Sequence, residues 1–477
     1  MINRLILILI LMVITAYYPS MCIAQDDIKK ATEENNQLTA GSDSDIDTNS
    51  NNTRQNDTVT DDNSKITIEK DESLSLNKCV NIALLNNPEI KSAISNTNIY
   101  KARIGQAKSA YVPELSMSGG YSYDNATSHV SFVDTTLHSF DIGSIKLTQL
   151  IYDFGKTHTN IKIQETKFES SQEDLQNTIN NVVYSVKKAY YDLLLAFQNK
   201  QVYEESVIMY SEQLKQAEAF YKVGERPKVD VLTAKVNLSN ARLDLIKAQN
   251  NINIAYAALN NTMGIPESPK YNLSDELKYK ENQISFEEIL VIAYENRPDY
   301  KSALLKSESA KTNIKLAKTE YFPRMEAFSG YNVRGFHVRG DASIDTGWSV
   351  GASLKIPVLN IYHTRKKVDE LRASYEKEVF TSEKLKNNIY LEVQQSYVNF
   401  IESIESVPVT EVALSEAKEN YDLTNGRYKV GFGNHIELKD ADLFYVNAKL
   451  AYYKALYLYN AAIVLLEKSI GQELPVK

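Results

Sequence analysis

Tyr221-Lys222-Val223-Gly224 recurs as Tyr428-Lys429-Val430-Gly431, and a matching row of residues follows each copy. Behind the first stand Ala234, Leu238, Ala241, Leu245, Ala248, Ile252, Ala255 and Leu259. Behind the second stand Ala441, Tyr445, Ala448, Tyr452, Ala455, Tyr459, Ala462 and Leu466. Both rows step by four and three without a slip, with Ala at every seventh residue. Such a repeat holds one helix face against a partner over many turns, because knobs return to holes about every 3.5 residues. Alanine lets the partner backbone approach, and the larger residue fills the next layer. The pattern predicts two equivalent helical hairpins, each reversed at a Val-Gly pair.

The arm leading into each reversal is long. From Lys156 to Tyr221 no Gly or Pro interrupts 66 residues, which as one helix would reach about 100 Å. The return arm, ending near Thr262, is about half that length. The helix that starts at Pro88 and ends before Pro113 is expected to cover the remainder. The second half repeats the plan, out from Tyr362 to Tyr428 and back from Ile436 to Ile470.

Upstream the duplication persists. Pro88-Glu89-Ile90-Lys91-Ser92-Ala93 answers Pro298-Asp299-Tyr300-Lys301-Ser302-Ala303 at an offset of 210, which shrinks to 207 at the reversals. A helical stripe of Leu76, Val80, Ala83 and Leu84 precedes it. After Pro113 and Pro323 the apolar period changes to two. Leu115, Met117, Gly119, Tyr121 and Tyr123 alternate with small or polar residues, and a second run around Ile145 and Leu147 ends at Tyr152-Asp153. In the second half Met325, Ala327, Ser329, Tyr331 and Val333 form one run, and Trp348, Val350, Ala352, Leu354 and Ile356 the other. Strands of roughly 9–11 residues are expected, the length that crosses a bilayer at a tilt.

Composition fixes the class more loosely. The chain has 477 residues, 43% of them apolar and 24% charged, with a net charge of −8. That balance gives no reason to expect a nucleic-acid partner. Arg4 followed by the apolar run Leu5–Tyr18 and a small Ala24 reads as a secretory signal over residues 1–24. Cys22 matches a lipoprotein cysteine poorly, which leaves Cys79 as the single thiol after cleavage and excludes an internal disulfide. Residues 25–72 are polar and poor in large apolar groups, the composition of a disordered leader. A first repeat is expected over 73–264, a linker over 265–284 and a second repeat over 285–477. No later segment has the run of apolar residues that a membrane helix requires.

The fold expected is mainly α with a small membrane β-barrel portion: duplicated coiled-coil hairpins and four β-strands per chain. Four strands cannot close a membrane barrel, and lipid does not tolerate open edges. Membrane residence therefore requires oligomerisation; two copies would supply eight strands and three copies twelve.

The order of signal, helix, Asn87-Pro88, Pro-ended helix, strand pair, long helix and Val-Gly reversal, all repeated, resembles the TolC-like outer-membrane efflux proteins. The resemblance covers about residues 74–472 and rests on Leu84-x-x-Asn87-Pro88, Ile151-Tyr152-Asp153-x-Gly155 and the paired Tyr-x-Val-Gly reversals. It implies a homotrimer sharing a 12-strand barrel in outer-membrane lipid above a helical periplasmic tunnel. Its partners would be a periplasmic adaptor and an inner-membrane transporter or secretion ATPase. Val223, Gly224, Val430 and Gly431 would form the adaptor-docking tips. Glu437 and Asp440 would ring the periplasmic gate, with Asp230 and Tyr428 helping to latch it. Where the family has a latching arginine this chain has Gly433.

An enzyme is not expected. The six histidines show no ligand spacing, no nucleophile motif or phosphate loop is present, and neither metal nor cofactor is called for. The alternative reading is a non-conducting exported coiled-coil scaffold, with the strands forming a soluble sheet.

Overall fold

The computed structural model describes residues 73–120, 124–130, 133–266, 271–280, 284–338, 341–358 and 360–474. The expected signal and leader lie outside them, as do Cys22, Tyr121, Tyr123 and Pro269. The first half opens with strand β1 (Ser73–Leu74) and helices α1 (Leu76–Asn86) and α2 (Pro88–Lys108). Strands β2 (Glu114–Ser118), β3 (Asp124–Val130) and β4 (Val133–Tyr152) follow, then α3 (Lys156–Lys222) and α4 (Lys228–Met263). The second half runs β5 (Asn272–Leu273), α5 (Phe286–Asn296), α6 (Pro298–Lys318), β6 (Arg324–Val338), β7 (Asp341–Lys355), α7 (Ile361–Lys429) and α8 (His435–Ile470).

The long helices match their sequence signals closely. α3 has 67 residues and α7 has 69, while α4 and α8 each have 36. α4 packs along the tip-proximal part of α3, and α2 covers the rest, where Lys108 reaches Glu165. The heptad row faces inward as expected, with Ala234, Leu238, Ala241, Ala248, Ile252 and Leu259 all buried. α1 is rotated relative to its expected stripe: Cys79, Ile82 and Ala83 are buried and Leu84 is exposed. The cause is tertiary. α1 sits in the cleft between α3 and α4, and Cys79 joins Val186, Tyr190, Leu259 and Met263 in the first core.

Two features are absent from the sequence reading. β1 pairs in parallel with β5, so the stretch between the halves contributes structure, and its Tyr271 is fully buried. Pro408 lies inside α7 without ending it. A proline removes the bond to the carbonyl four residues back; here that carbonyl, of Ile404, accepts from the Tyr279 hydroxyl at 3.4 Å.

The halves have separate cores. One gathers α1, α3 and α4; the other joins α5, α7 and α8 around Ile389, Val393, Phe400, Tyr459 and Leu466. Toward the reversals only small clusters remain, such as Ala217 with Val231 and Ala234.

The main sheet has four lines, because β2 and β3 lie along the same edge of β4 and the order continues through β6 to β7. β4 has 20 residues and β6 and β7 have 15 each, longer than the 9–11 expected. Pairing persists past the apolar band, where alternation stops but hydrogen bonding does not. Cross-strand register segregates the two faces. Met117 opposes Ile145, Ile145 opposes Tyr331, and Tyr331 opposes Trp348. Leu115, Leu147, Val350, Met325 and Leu354 share that side, and all are exposed. The other side carries Ser116, Ser118, Ser144, Lys146, Glu326, Asn332 and Ser353, with Ser118 and Ser144 hydroxyls 2.8 Å apart. Where β4 turns into α3, Asp153 accepts from the Thr157 and Gly155 amides, and Phe154 stacks on Phe322 at 5.4 Å.

Candidate functional site: the two hairpin tips

The reversals share one geometry. Gly224 and Gly431 take positive φ, +78° and +85°. The amides of Glu225 and Phe432 close onto the Phe220 and Arg427 carbonyls at 3.0 Å, and those of Gly224 and Gly431 onto Tyr221 and Tyr428 at 3.1 Å. This is the double closure by which a left-handed glycine ends a helix. Val223 and Val430 are therefore carried on rigid turns, and both are exposed. Beside them Val229 and Ile436 are exposed as well, and Phe432 is 84% exposed.

The flanks of the two turns differ. Tyr221 is exposed, but its counterpart Tyr428 is only 1% exposed. The Tyr428 ring lies edge-on to Phe220 at 6.0 Å and under the Arg226 guanidinium at 5.7 Å, with the His435 ring 6.0 Å away. Arg226 then donates from Nη2 to the Gly433 carbonyl at 2.6 Å. The second tip is thus plugged into the first by an aromatic ring and braced by a cation.

Sequence reasoning missed Arg226, though a signal was available. Arg226 precedes Gly433 by 207 residues, the offset of the duplication, so the two occupy equivalent places in the two turns. A Cβ on Gly433 would lie 2.7 Å from the Tyr428 nitrogen. No side chain fits there. The arginine stands on the opposite tip and reaches the same point from the other side.

The expected gate residues fall into two groups. Asp230 and Tyr428 are brought together near Arg226. Burial raises the Tyr428 pKa, with Arg226 opposing and Asp230 reinforcing. Burial lowers that of His435, which Asp230 partly offsets. The Tyr428 hydroxyl and both His435 ring nitrogens have no hydrogen-bond partner among the described residues. Glu437 and Asp440 instead lie exposed on the first turns of α8, and Glu437 meets Arg427 at 3.9 Å. Among the described residues no group of carboxylates, histidines or cysteines could hold a metal, and no helix is long and apolar enough to cross a membrane.

A strand layer with an apolar face and a polar face, continuous with duplicated helical hairpins, is the architecture of an outer-membrane channel protein. The profile of the outer membrane efflux protein family matches residues 79–265 and 289–472, and the chain belongs to that family. Outer membrane protein TolC of Vibrio cholerae is 22% identical over 400 residues, covering 82% of this chain and 89% of that protein. The cation efflux system protein CusC of Escherichia coli is 20% identical over 365 residues, 76% of this chain and 78% of that one. The solved Campylobacter jejuni CmeC outer membrane channel superposes with a TM-score of 0.71 at 19% identity, covering 89% of this chain and 94% of CmeC. The protein is an outer-membrane efflux channel, in a family of channels rather than enzymes.

Proposed function

We propose that three copies of this chain form the exit duct of a tripartite efflux or type I secretion system. The observation that carries this is the four-line sheet. Its apolar face is exposed in a single chain, and the outer edges of β2–β3 and of β7 have no strand partner among the described residues. Lipid tolerates such a sheet only when its edges are closed. Twelve lines from three chains close one barrel, with the polar face lining the passage. A soluble scaffold would have to cover the whole apolar face by other means. Residues 73–264 and 285–477 act as the two repeats, joined by 265–284.

Below the barrel, the exposed Val223, Val430, Val229, Ile436 and Phe432 offer an apolar rim to a periplasmic adaptor, which couples the duct to an inner-membrane transporter or secretion ATPase. Asp230, Tyr428 and Arg226 hold the two tips of each chain together. Glu437 and Asp440 then face the axis, where three copies gather about six carboxylates between low-dielectric walls, offset in part by the Arg427 beside each Glu437, and favour cations.

The test is single-channel recording in planar bilayers under a salt gradient. Glu437→Gln with Asp440→Asn keeps size and hydrogen bonding while removing the charge. The expected outcome is a reversal potential shifted toward zero, with the trimer mass unchanged by native mass spectrometry. An unshifted potential would reduce the two acids to a solvated helix start.

A further inference from the structure

The two halves meet in the sheet at β4–β6, between α3 and α6, and along a seam between α3 and α8 that carries polar ties in antiparallel register. Asn180 donates to the Gly471 carbonyl at 3.4 Å, and Lys187 pairs with Glu467 at 2.8 Å. Nearer the tips Lys449 pairs with Glu205, and Gln213 Nε2 then reaches both oxygens of Asp442 at 3.0 and 2.9 Å. Within each half the helices are sealed by apolar clusters instead. Parting the seam exchanges polar ties for water, whereas opening a hairpin exposes apolar core. Along the α3–α8 seam the halves therefore separate more readily than either hairpin opens.

Asp442 is unlike the other ties. It is 0% exposed, and its partner is a neutral amide. The equivalent position in the first half is Lys235, exposed and facing Glu218 at 3.6 Å. The carboxyl therefore belongs to the seam, not to the hairpin plan. Tyr210 on α3 and Tyr421 on α7 stand beside it, Glu212, Asp422 and Tyr445 gather about Tyr421, and Lys439 lies one turn before it on α8. α4 brings Asp244 to the same groove as Tyr210 and Lys439. One amide nitrogen supplies both contacts to the buried carboxyl, which leaves its charged form undersupplied away from water.

We propose that Asp442 is a positioning residue that fastens the two halves behind the mouth, holding a proton while the seam is closed and releasing it to solvent when the seam parts. This rests on the reading of the tips as the mouth of a duct. Burial lifts the carboxyl from its ordinary 3.8 to about 7, against the pull of the Gln213 hydrogen bond. In a parted, hydrated seam it returns to its ordinary value. Between those two values the parted state has lost a proton that the closed state keeps. Acid therefore favours the closed seam. Rising pH favours opening by up to about tenfold per pH unit per chain, and the dependence ends above about pH 7.

The experiment compares wild type, Asp442→Asn and Gln213→Met. Conducting fraction in planar bilayers and the infrared band of protonated carboxyls are each followed from about pH 4 to about pH 8. The wild-type fraction should climb and level off near neutrality, in step with loss of a carboxyl band. Asp442→Asn should remove both the climb and the band, because Asn keeps the tie without the proton. Gln213→Met should move both to higher pH, and it serves alone if the Asn variant does not assemble. A climb unchanged in Asp442→Asn, or a wild-type carboxyl already ionised at about pH 5, overturns the proposal. If no form conducts at any pH, the duct reading falls, and the infrared titration still decides the state of Asp442.

Discussion

At the scale of single residues the tips turn on Arg226 and Gly433. A charge-assisted bond to a part-buried carbonyl contributes about 1.5–3 kcal/mol. Arg226→Ala should therefore shift the balance between closed and open tips by about ten- to a hundredfold toward open. Single-channel open times should lengthen, while denaturation of the detergent-solubilised protein moves little, since neither half-core contains Arg226. Arg226→Lys should fall between, because an ammonium lacks the planar fork that lies over Tyr428. The pairing of positions 226 and 433 was legible from the duplication offset. What the sequence did not disclose was the space: only the turn reveals that a Cβ at 433 would meet the Tyr428 backbone.

Among the elements, the starts of α2 and α6 show one join solved in two ways. Asn87 caps α2 by accepting from the Glu89 amide at 2.8 Å, and its Nδ2 donates to the Thr262 carbonyl at the end of α4, also at 2.8 Å. The matching Arg297 donates to the Ser469 carbonyl at 3.1 Å near the end of α8 and pairs with both Asp299 and Glu392 at 2.7 Å. Removing Asn87 sacrifices a cap and one tie, about 1–2 kcal/mol. Removing Arg297 strands two carboxylates and a carbonyl in a half-buried site, about 3 kcal/mol or more. Denaturant unfolding in detergent should place Arg297→Ala clearly below Asn87→Ala. Helices and reversals were readable because their signals are local: heptad period, a leading proline, a closing glycine. The rotation of α1, the β1–β5 pairing and the full strand lengths depend on partners distant in sequence. Pro408 is the clearest case, harmless in α7 because Tyr279 from the connecting stretch meets the carbonyl it frees.

For the molecule as a whole, the sheet leaves two edges, β2–β3 and β7, without a strand partner among the described residues. In the proposed trimer every seam of the barrel joins the edges of two different chains, so one faulty edge interrupts the whole ring. Such a lesion would be inherited as a dominant trait. Where normal chains and chains disabled at β7 are made in equal amounts, only about one trimer in eight is free of the defect. Co-expression of a β7-deleted chain that retains its hairpins should therefore cut efflux far below half. A lesion confined to chains that never join the trimer would be silent under the same dosage. Measuring efflux against the ratio of the two gene doses distinguishes a cubic fall from a linear one, and so counts the chains around the pore without isolating it.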